Sequence, residues 1–142
     1  MPLHLIKLCV GADSIADLAA WQKERLAEAK AKGVDSDIRH VTRMTPKRDD
    51  ELLDGGSLYW VIKGHIAVRQ KLTALKPAVK NGKPHCALIL DPKLVRTARR
   101  FHRPFQGWRY LDPKDAPRDL KKGETDTMPD ELHAELSDLG LI

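Results

Sequence analysis

Residues 57–72 read SLYWVIKGHIAVRQKL and carry the strongest structural signal in the chain. The two halves, 57–63 and 65–72, are rich in β-branched and aromatic residues, which is typical of strands. The lone Gly64 between them is typical of a tight reversal, a bulge or a sharp bend in one long strand. Successive side chains of a strand point to opposite faces, so we expect Arg69 to project from a sheet face.

Further strands are predicted on both sides of this stretch. Residues 3–10 and 37–44 alternate in character, and 86–90 is a continuous apolar run that favours a central position in the sheet. Asn81-Gly82 predicts a turn, and residues 108–111 predict a last strand. An N-terminal helix is expected to begin at Asp13 or Ser14, in a capping box with Asp17, and to close at Gly33.

The remaining segments complete the predicted order. Residues 47–53 suit one helical turn, Leu94 and Val95 suit another, and 112–126 is a proline-containing loop. Thr127 is expected to cap a C-terminal helix that ends at Gly140. We therefore expect one domain, 1–142, of the α+β class, with a mainly antiparallel or mixed sheet that could curl into a partial barrel.

Composition narrows the class of protein. The 142 residues are 42% hydrophobic and 32% charged, and no run reaches the ~18 to 20 apolar residues of a membrane span. The start lacks the order of a signal peptide. Cys9 and Cys86 lie inside apolar runs, as small buried residues do, and need no disulfide framework. These features predict a cytoplasmic protein without a membrane partner.

The charge is strongly segregated along the chain. Residues 1–56 carry a net charge of −1, residues 57–111 carry +11 and residues 112–142 carry −5, within a total of +5. The basic centre, 57–111, contains Asp91 as its single carboxylate and six of the seven aromatic residues. Lysine, arginine and exposed aromatic rings bind phosphates and bases, so this segment is the candidate binding region.

Eight residues of the basic centre are candidate ligand-binding residues because they offer guanidinium forks, a directional amide or a stacking ring. They are Trp60, Arg69, Arg99, Arg100, Arg103, Gln106, Trp108 and Arg109. The alternative is a purely structural role, with the aromatic rings in the core and the cations on solvated faces. His65 and His102 are weaker candidates for acid/base catalysis, and no histidine or cysteine spacing indicates a metal site or another cofactor.

The strings GSLYWVIKGHIAVRQ, CALILDP, RPFQGWRYL and DAPRDL resemble a bacterial family of unknown function, domain-of-unknown-function family 1489, over nearly the whole chain. That resemblance implies little about activity, because the family is uncharacterised. The strand pair around Gly64 is also similar to small PUA-like and ASCH-like barrels, which bind RNA or nucleotides. The ASCH pattern of Lys, Glu and Arg after a glycine is not matched, since residues 65–69 contain no Glu, and no site is transferred.

Three hypotheses follow. The first is a small module that binds RNA, a nucleotide or another phosphorylated ligand through a basic and aromatic sheet surface. The second is a small enzyme acting on an anionic substrate, with His65 or His102 as acid/base and arginines as clamps. The third is that the basic centre meets the acidic segment 112–138, within one chain or in a homodimer.

Overall fold

The computed structural model describes residues 3–9, 13–33, 38–103 and 105–120. Over these ranges it has a mixed seven-stranded sheet and two helices, which is the expected α+β class. The elements are β1 (His4–Leu8), α1 (Ile15–Ala31), β2 (Ile38–Thr42), α2 (Asp49–Leu53), β3 (Ser57–Ile62), β4 (His65–Lys80), β5 (Lys83–Leu90), β6 (Val95–Phe101), β7 (Trp108–Leu111) and a 3-10 turn at Pro113–Asp115.

The sheet is open, with the strand order β2-β5-β4-β3-β1-β7 and β6 paired with β4 off this path. The pair β1 and β3 is parallel, and the other pairs are antiparallel. The long strand β4 joins the two halves of the sheet, because its beginning pairs with β3 and β6 and its remainder pairs with β5. The hydrogen-bonded path does not close between β2 and β7 in the described residues, so a closed barrel is not formed there.

Two tight hairpin turns organise β3, β4 and β5. Lys63 and Gly64 have φ values of 50° and 81°, and Asn81 and Gly82 have 54° and 75°. Two consecutive residues with positive φ are the mark of the short turn whose twist matches that of the flanking strands. Of the three interpretations left open for Gly64, the tight reversal is therefore correct, and the turn predicted at Asn81-Gly82 is confirmed.

Two strand predictions were wrong. Leu94 and Val95 do not form the predicted helical turn, because Val95 begins β6. The three arginines of β6 obscure the alternation of apolar and polar residues that is typical of a strand. A strand at the margin of a sheet tolerates such charges. β4 also continues eight residues beyond the predicted end at 72, through Pro77. The proline is tolerated because this part of β4 pairs with β5 alone among the described strands.

Helix α1 lies on one face of the sheet, and its boundaries follow from its caps. The Ser14 side chain accepts a hydrogen bond from the Asp17 backbone N–H at 3.1 Å, and Gly33 takes a φ of 70° just after the helix. Leu18 and Gln22 are the buried residues of α1. The Gln22 amide donates to the Gln70 side-chain oxygen at 2.7 Å, and the Gln70 amide donates back at 2.9 Å. This reciprocal buried pair fixes α1 on β4.

The core is divided between the two faces of the sheet. The face under α1 holds the larger cluster, which includes Leu5, Leu58, Trp60, Leu72 and Leu88. The opposite face, called here the outer face, holds Ile6, Tyr59, Val61, Ile66 and Leu111, with Phe105 and Ala116 packed on them. Burying one such apolar side chain stabilises the fold by about 1.5 to 3 kcal/mol.

The predicted C-terminal helix at 127–140 lies outside the described residues, as does the end of the predicted loop 112–126. Within the described ranges, neither helix has the length and apolar character needed to cross a membrane.

Candidate anion-binding groove

The strand register places two of the predicted arginines on the outer face. Arg109 of β7 lies opposite Ile6 of β1, and Arg100 of β6 lies opposite Ile66 of β4. Directly opposed residues of antiparallel strands share one face of the sheet, and Ile6 and Ile66 both belong to the outer cluster. The two guanidinium groups are therefore presented on the same side of the molecule.

A groove of about 510 Å³ runs along this side. It is called the arginine groove here, and its lining residues are Leu3, Ile6, Arg48, Ile66, Arg100, Phe101, His102, Arg109, Tyr110, Leu111, Asp112 and Asp115. The volume lies within the ~300 to 1,000 Å³ range of small-molecule sites. Three arginines, one histidine, two aromatic residues and two aspartates thus line one concave surface.

Arg48 is a groove residue that sequence reasoning missed. It immediately precedes α2, forms an ion pair with Glu51, and its guanidinium lies 5.5 Å from the centre of the Tyr110 ring. The ion pair raises the pKa of Arg48 and lowers the pKa of Glu51. The Tyr110 hydroxyl accepts hydrogen bonds from the backbone N–H groups of Lys47 and Arg48, at 3.0 and 3.2 Å. No local sequence signal connects position 48 with β7, because these contacts span more than 60 residues.

Two aromatic residues line the groove, and the register places Phe101 opposite His65 and Tyr110 opposite Leu5, at strand positions that alternate with those of Arg100 and Arg109. Phe101 is 55% exposed and Tyr110 is 36% exposed, which is unusual for large rings. A third ring, Phe105, lies with its centre 5.1 Å from the Arg109 guanidinium. This contact orients Arg109, since a guanidinium is attracted to the face of an aromatic ring.

Arg100 is oriented by the chain that covers the outer face. Its guanidinium donates a hydrogen bond to the backbone carbonyl of Asp115. That carbonyl is neutral, so the bond holds Arg100 in place without cancelling its charge. The segment 118–120 also pairs with β6, through hydrogen bonds from Ala98 to Arg118 and from Leu120 to Arg96 at 2.8 and 2.9 Å. The groove wall is therefore tied to the strand that carries Arg100.

The two candidate histidines have different surroundings. His102 lines the groove, and its Nδ1 is 2.8 Å from the Arg103 carbonyl. If Nδ1 donates to that carbonyl, Nε2 of the neutral ring is left as the acceptor. His65 is only 3% exposed and its Nδ1 is 3.2 Å from the Lys63 carbonyl. Solvent and substrates thus have far better access to His102.

Arg69 is held by the acidic segment instead of facing the groove. It donates to both carboxylate oxygens of Asp119, at 2.7 and 2.6 Å, and to the Ser57 hydroxyl at 2.9 Å. The pair raises the pKa of Arg69 and lowers the pKa of Asp119. At this point the basic centre and the acidic segment meet within one chain.

The other predicted residues are spread over the molecule. Trp60 is 1% exposed and donates to Gln70 at 2.9 Å, while half-buried Trp108 donates to the Met44 carbonyl at 2.9 Å. Both belong to the α1 face, since alternate residues of a strand point to opposite sides. The remaining three are absent from the groove lining: Arg99, which lines a pocket of about 30 Å³ beside His65, and the exposed Arg103 and Gln106. The eight residues therefore do not form one surface.

The described part of the chain contains neither a candidate metal site nor a cysteine placed for nucleophilic catalysis. There, no three His, Cys, Asp or Glu side chains are grouped as a metal ion would need. Cys9 and Cys86 are buried and not joined to each other. Burial raises the pKa of the Cys9 thiol to about 11, so the nucleophilic thiolate is disfavoured at neutral pH.

The chain matches a protein family of unknown function. A family model described as "Protein of unknown function (DUF1489)" matches residues 5–142. No curated protein and no solved structure matches the chain.

Proposed function

The chain belongs to this family of unknown function, and on the geometry of the arginine groove we propose that it binds a phosphorylated ligand there, with single-stranded RNA as the favoured class. The observation that carries the proposal is that Arg48, Arg100 and Arg109 line one groove together with the exposed aromatic residues Phe101 and Tyr110. Guanidinium groups bind phosphate through paired hydrogen bonds, and exposed rings stack on bases.

Directed contacts, more than net charge, support this proposal. Asp112 and Asp115 also line the groove and Arg48 is paired with Glu51, so the groove carries little net positive charge. A weak net field attracts polyanions poorly, whereas a guanidinium at a fixed position still forms strong bonds to phosphate. The cation–π contact of Arg109 and the carbonyl contact of Arg100 supply that fixed position.

RNA is favoured over a free nucleotide because further exposed donors lie in the loop that joins the two strands carrying Arg100 and Arg109. Arg103 and Gln106 are exposed and lie in the loop between Phe101 and β7. A nucleoside monophosphate has one base and one phosphate group, fewer than the three arginines and two aromatic residues that line the groove. A strand with several phosphates and bases can use the groove and the loop together.

The first test is fluorescence anisotropy with labelled single-stranded RNA over a salt series. In Arg100→Gln with Arg109→Gln, we expect the affinity to fall by about tenfold or more, since a hydrogen bond to a charged group is worth ~1.5 to 3 kcal/mol. The slope of log affinity against log salt should fall by about 1.4, because each lost phosphate contact on a single strand contributes ~0.7.

The matched control removes the same number of charges at the far end of the sheet. Lys80→Gln with Lys83→Gln changes two exposed lysines that flank the β4–β5 turn, outside the groove. This variant should retain the wild-type affinity within about twofold. The proposal fails if RNA does not bind at low salt, or if both double variants lose affinity equally. Tight binding of a free nucleotide with weak binding of RNA would reassign the ligand.

An enzymatic function is the second candidate, and the presence of His102 with Asp112 and Asp115 in one groove favours it. The arginines would stabilise an anionic substrate while His102 transfers the proton. Bis(p-nitrophenyl) phosphate is a suitable probe, since its cleavage releases a coloured phenolate. Turnover that His102→Asn abolishes, with folding unchanged, would support this candidate, and turnover that survives the substitution would exclude His102 as its acid/base.

A further inference from the structure

A second concave site lies on the opposite side of the sheet, between α1 and the strands. This cavity of about 380 Å³ is called the α1 cavity, and its lining residues are Trp21, Gln22, Arg25, Leu26, Ala29, Ile38, Arg39, His40, Trp60 and Leu90. It shares no residue with the arginine groove. The proposed RNA-binding function makes no use of it.

The cavity exists because α1 is anchored by its first half. Leu18 and Gln22 are buried against the sheet, and the Gln22–Gln70 pair fixes the helix at that point. Beyond it, Leu26 and Ala29 are only half-buried, and the small side chain at Ala29 leaves space below the helix. A gap bounded by apolar side chains lacks partners for dispersion contacts, so an apolar ligand group gains by filling it.

The walls suit a flat apolar ligand. Leu26, Ile38 and Leu90 supply aliphatic surface, and Trp21 and Trp60 supply indole rings. His40 meets the Trp60 ring edge-on, with the ring centres 5.2 Å apart. Burial first, and then the charges of Lys7, Arg25 and Lys80, lower the pKa of His40 to about 4. The imidazole is therefore neutral at pH 7 and available as a hydrogen-bonding group.

Positive charge lies at this cavity, from Arg25 in its lining and from the neighbouring Lys7. The Arg25 guanidinium lies 3.9 Å from the centre of the Trp21 ring, at the cavity wall. Lys7 is aligned with Trp60 in the sheet and is half-buried, and burial lowers its pKa. Among the described residues that line the cavity there is no carboxylate. Arg25 is an exposed residue of the cavity lining and the neighbouring Lys7 is half-buried, an arrangement that favours an anion with an apolar body.

We infer that the α1 cavity is a second binding site, which takes a small aromatic anion. Its ring lies between the indole and aliphatic walls, and its carboxylate, sulfonate or phosphate group lies at Arg25. The inference rests on the cavity between α1 and the sheet and stands independently of the arginine groove.

The test compares two fluorescent probes of nearly the same shape. 8-Anilinonaphthalene-1-sulfonate carries the anionic group, and N-phenyl-1-naphthylamine lacks it. We expect one sulfonate probe to bind per folded chain, about tenfold more tightly than the neutral probe, with energy transfer from tryptophan. Equal affinity of the two probes would overturn the anionic part of the inference.

Two pairs of α1 variants locate the bound probe. Ala29→Trp fills the cavity and should abolish binding of both probes, whereas Ala20→Trp changes an exposed position and should leave it intact. Arg25→Gln should weaken the sulfonate probe by about tenfold and leave the neutral probe within about twofold, while the exposed Lys23→Gln should alter neither. Thermal unfolding by circular dichroism checks that each variant folds.

The groove variant separates the two sites. Arg100→Gln with Arg109→Gln should leave the sulfonate probe bound as in the wild type, since neither residue lines the α1 cavity. Loss of probe binding in this variant would place the probe in the groove and overturn the inference. Loss of RNA binding with the probe retained is the expected result. If the wild type does not bind RNA, the proposed function is wrong, and the inference about the α1 cavity still stands.

Discussion

The arginine groove and the α1 cavity lie on opposite faces of one sheet and differ in how they hold charge. The groove presents arginines of β6 and β7 beside exposed rings and two carboxylates. The cavity draws Arg25 and the nearby Lys7 from the negatively charged first part of the chain and places them near apolar walls. The basic run in the sequence therefore indicates where cations lie on the sheet surface, whereas the cations beside the cavity are brought there by packing.

The largest expected effect comes from breaking the anchor that holds the cavity side together. Gln70 accepts hydrogen bonds from Trp60 and Gln22 and donates to the Asp91 carbonyl at 3.0 Å. Gln70→Leu leaves two buried donors without their acceptor, at ~1 to 3 kcal/mol each. We expect urea unfolding to show a loss of about 4 kcal/mol, together with loss of probe binding in the cavity.

The exposed Gln106→Leu is the control for this substitution and should change the free energy of unfolding by less than about 0.5 kcal/mol. A Gln70→Leu protein as stable as the wild type would mean that the buried network does not anchor α1.

The second effect is a pH dependence specific to the cavity side. The pKa of His40 is about 4 in the fold and near 6.5 when unfolded, so the unfolded chain binds the proton first as the pH falls. The contribution of neutral His40 to the free energy of unfolding is therefore fully present above pH 6.5. It is lost between pH 6.5 and about 4 and amounts to roughly 3 kcal/mol in all. The groups that lower the pKa by charge are Lys7 on β1, Arg25 on α1 and Lys80 at the end of β4.

The measurement compares urea unfolding of the wild type and His40→Gln from pH 8 to pH 4.5. Titration of the acidic residues is common to both proteins, so their difference isolates His40. The difference in the free energy of unfolding should change across this range, and it should stay flat for the uncharged substitution Gln106→Leu against the wild type. An unchanged difference for His40→Gln would show that burial does not hold this ring neutral.

The third effect tests base stacking in the arginine groove. Phe101 lines the groove and is 55% exposed, and a base stacked on an exposed aromatic side chain is worth ~1 to 3 kcal/mol. Phe101→Leu should weaken RNA binding by about tenfold, as measured by anisotropy, and leave the cavity probe unaffected. Val79→Ala, at an exposed apolar position near the end of β4, is the control. RNA affinity that is the same in Phe101→Leu would remove stacking from the proposal.

The smallest effect concerns the contact that fastens the segment over the outer face. The side chains of Arg69 and Asp119 are 24% and 43% exposed, so solvent screening limits their coupling to about 1 kcal/mol. A double-mutant cycle with Arg69→Gln and Asp119→Asn measures it. The pKa of Asp119 is lowered in the fold, so this coupling is present at neutral pH and is lost as the pH falls through that pKa. A coupling near zero at pH 7 would mean that the backbone pairing of 118–120 alone holds the segment.

Local patterns predicted the elements whose signals lie within a few residues. Two positive-φ turns at Lys63-Gly64 and Asn81-Gly82, and the Ser14 and Gly33 ends of α1, follow from residue types next to each other in the chain. The strand β6 was missed because its pairing with β4, not its own alternation, makes it a strand. Arg48 was missed because its groove neighbour Tyr110 is 62 residues away.

The sequence by itself determined the class of fold, the hairpins around residues 57–90, the concentration of cations in 57–111 and the family to which the chain belongs. Tertiary structure alone decided which of those cations share a surface. Register and alternation put Arg100 and Arg109 on one face and Trp60 and Trp108 on the other, and Asp119 neutralises Arg69. The physical reason is that hydrogen-bonded pairing across the sheet sets which side chains meet, and neither composition nor local spacing records that pairing.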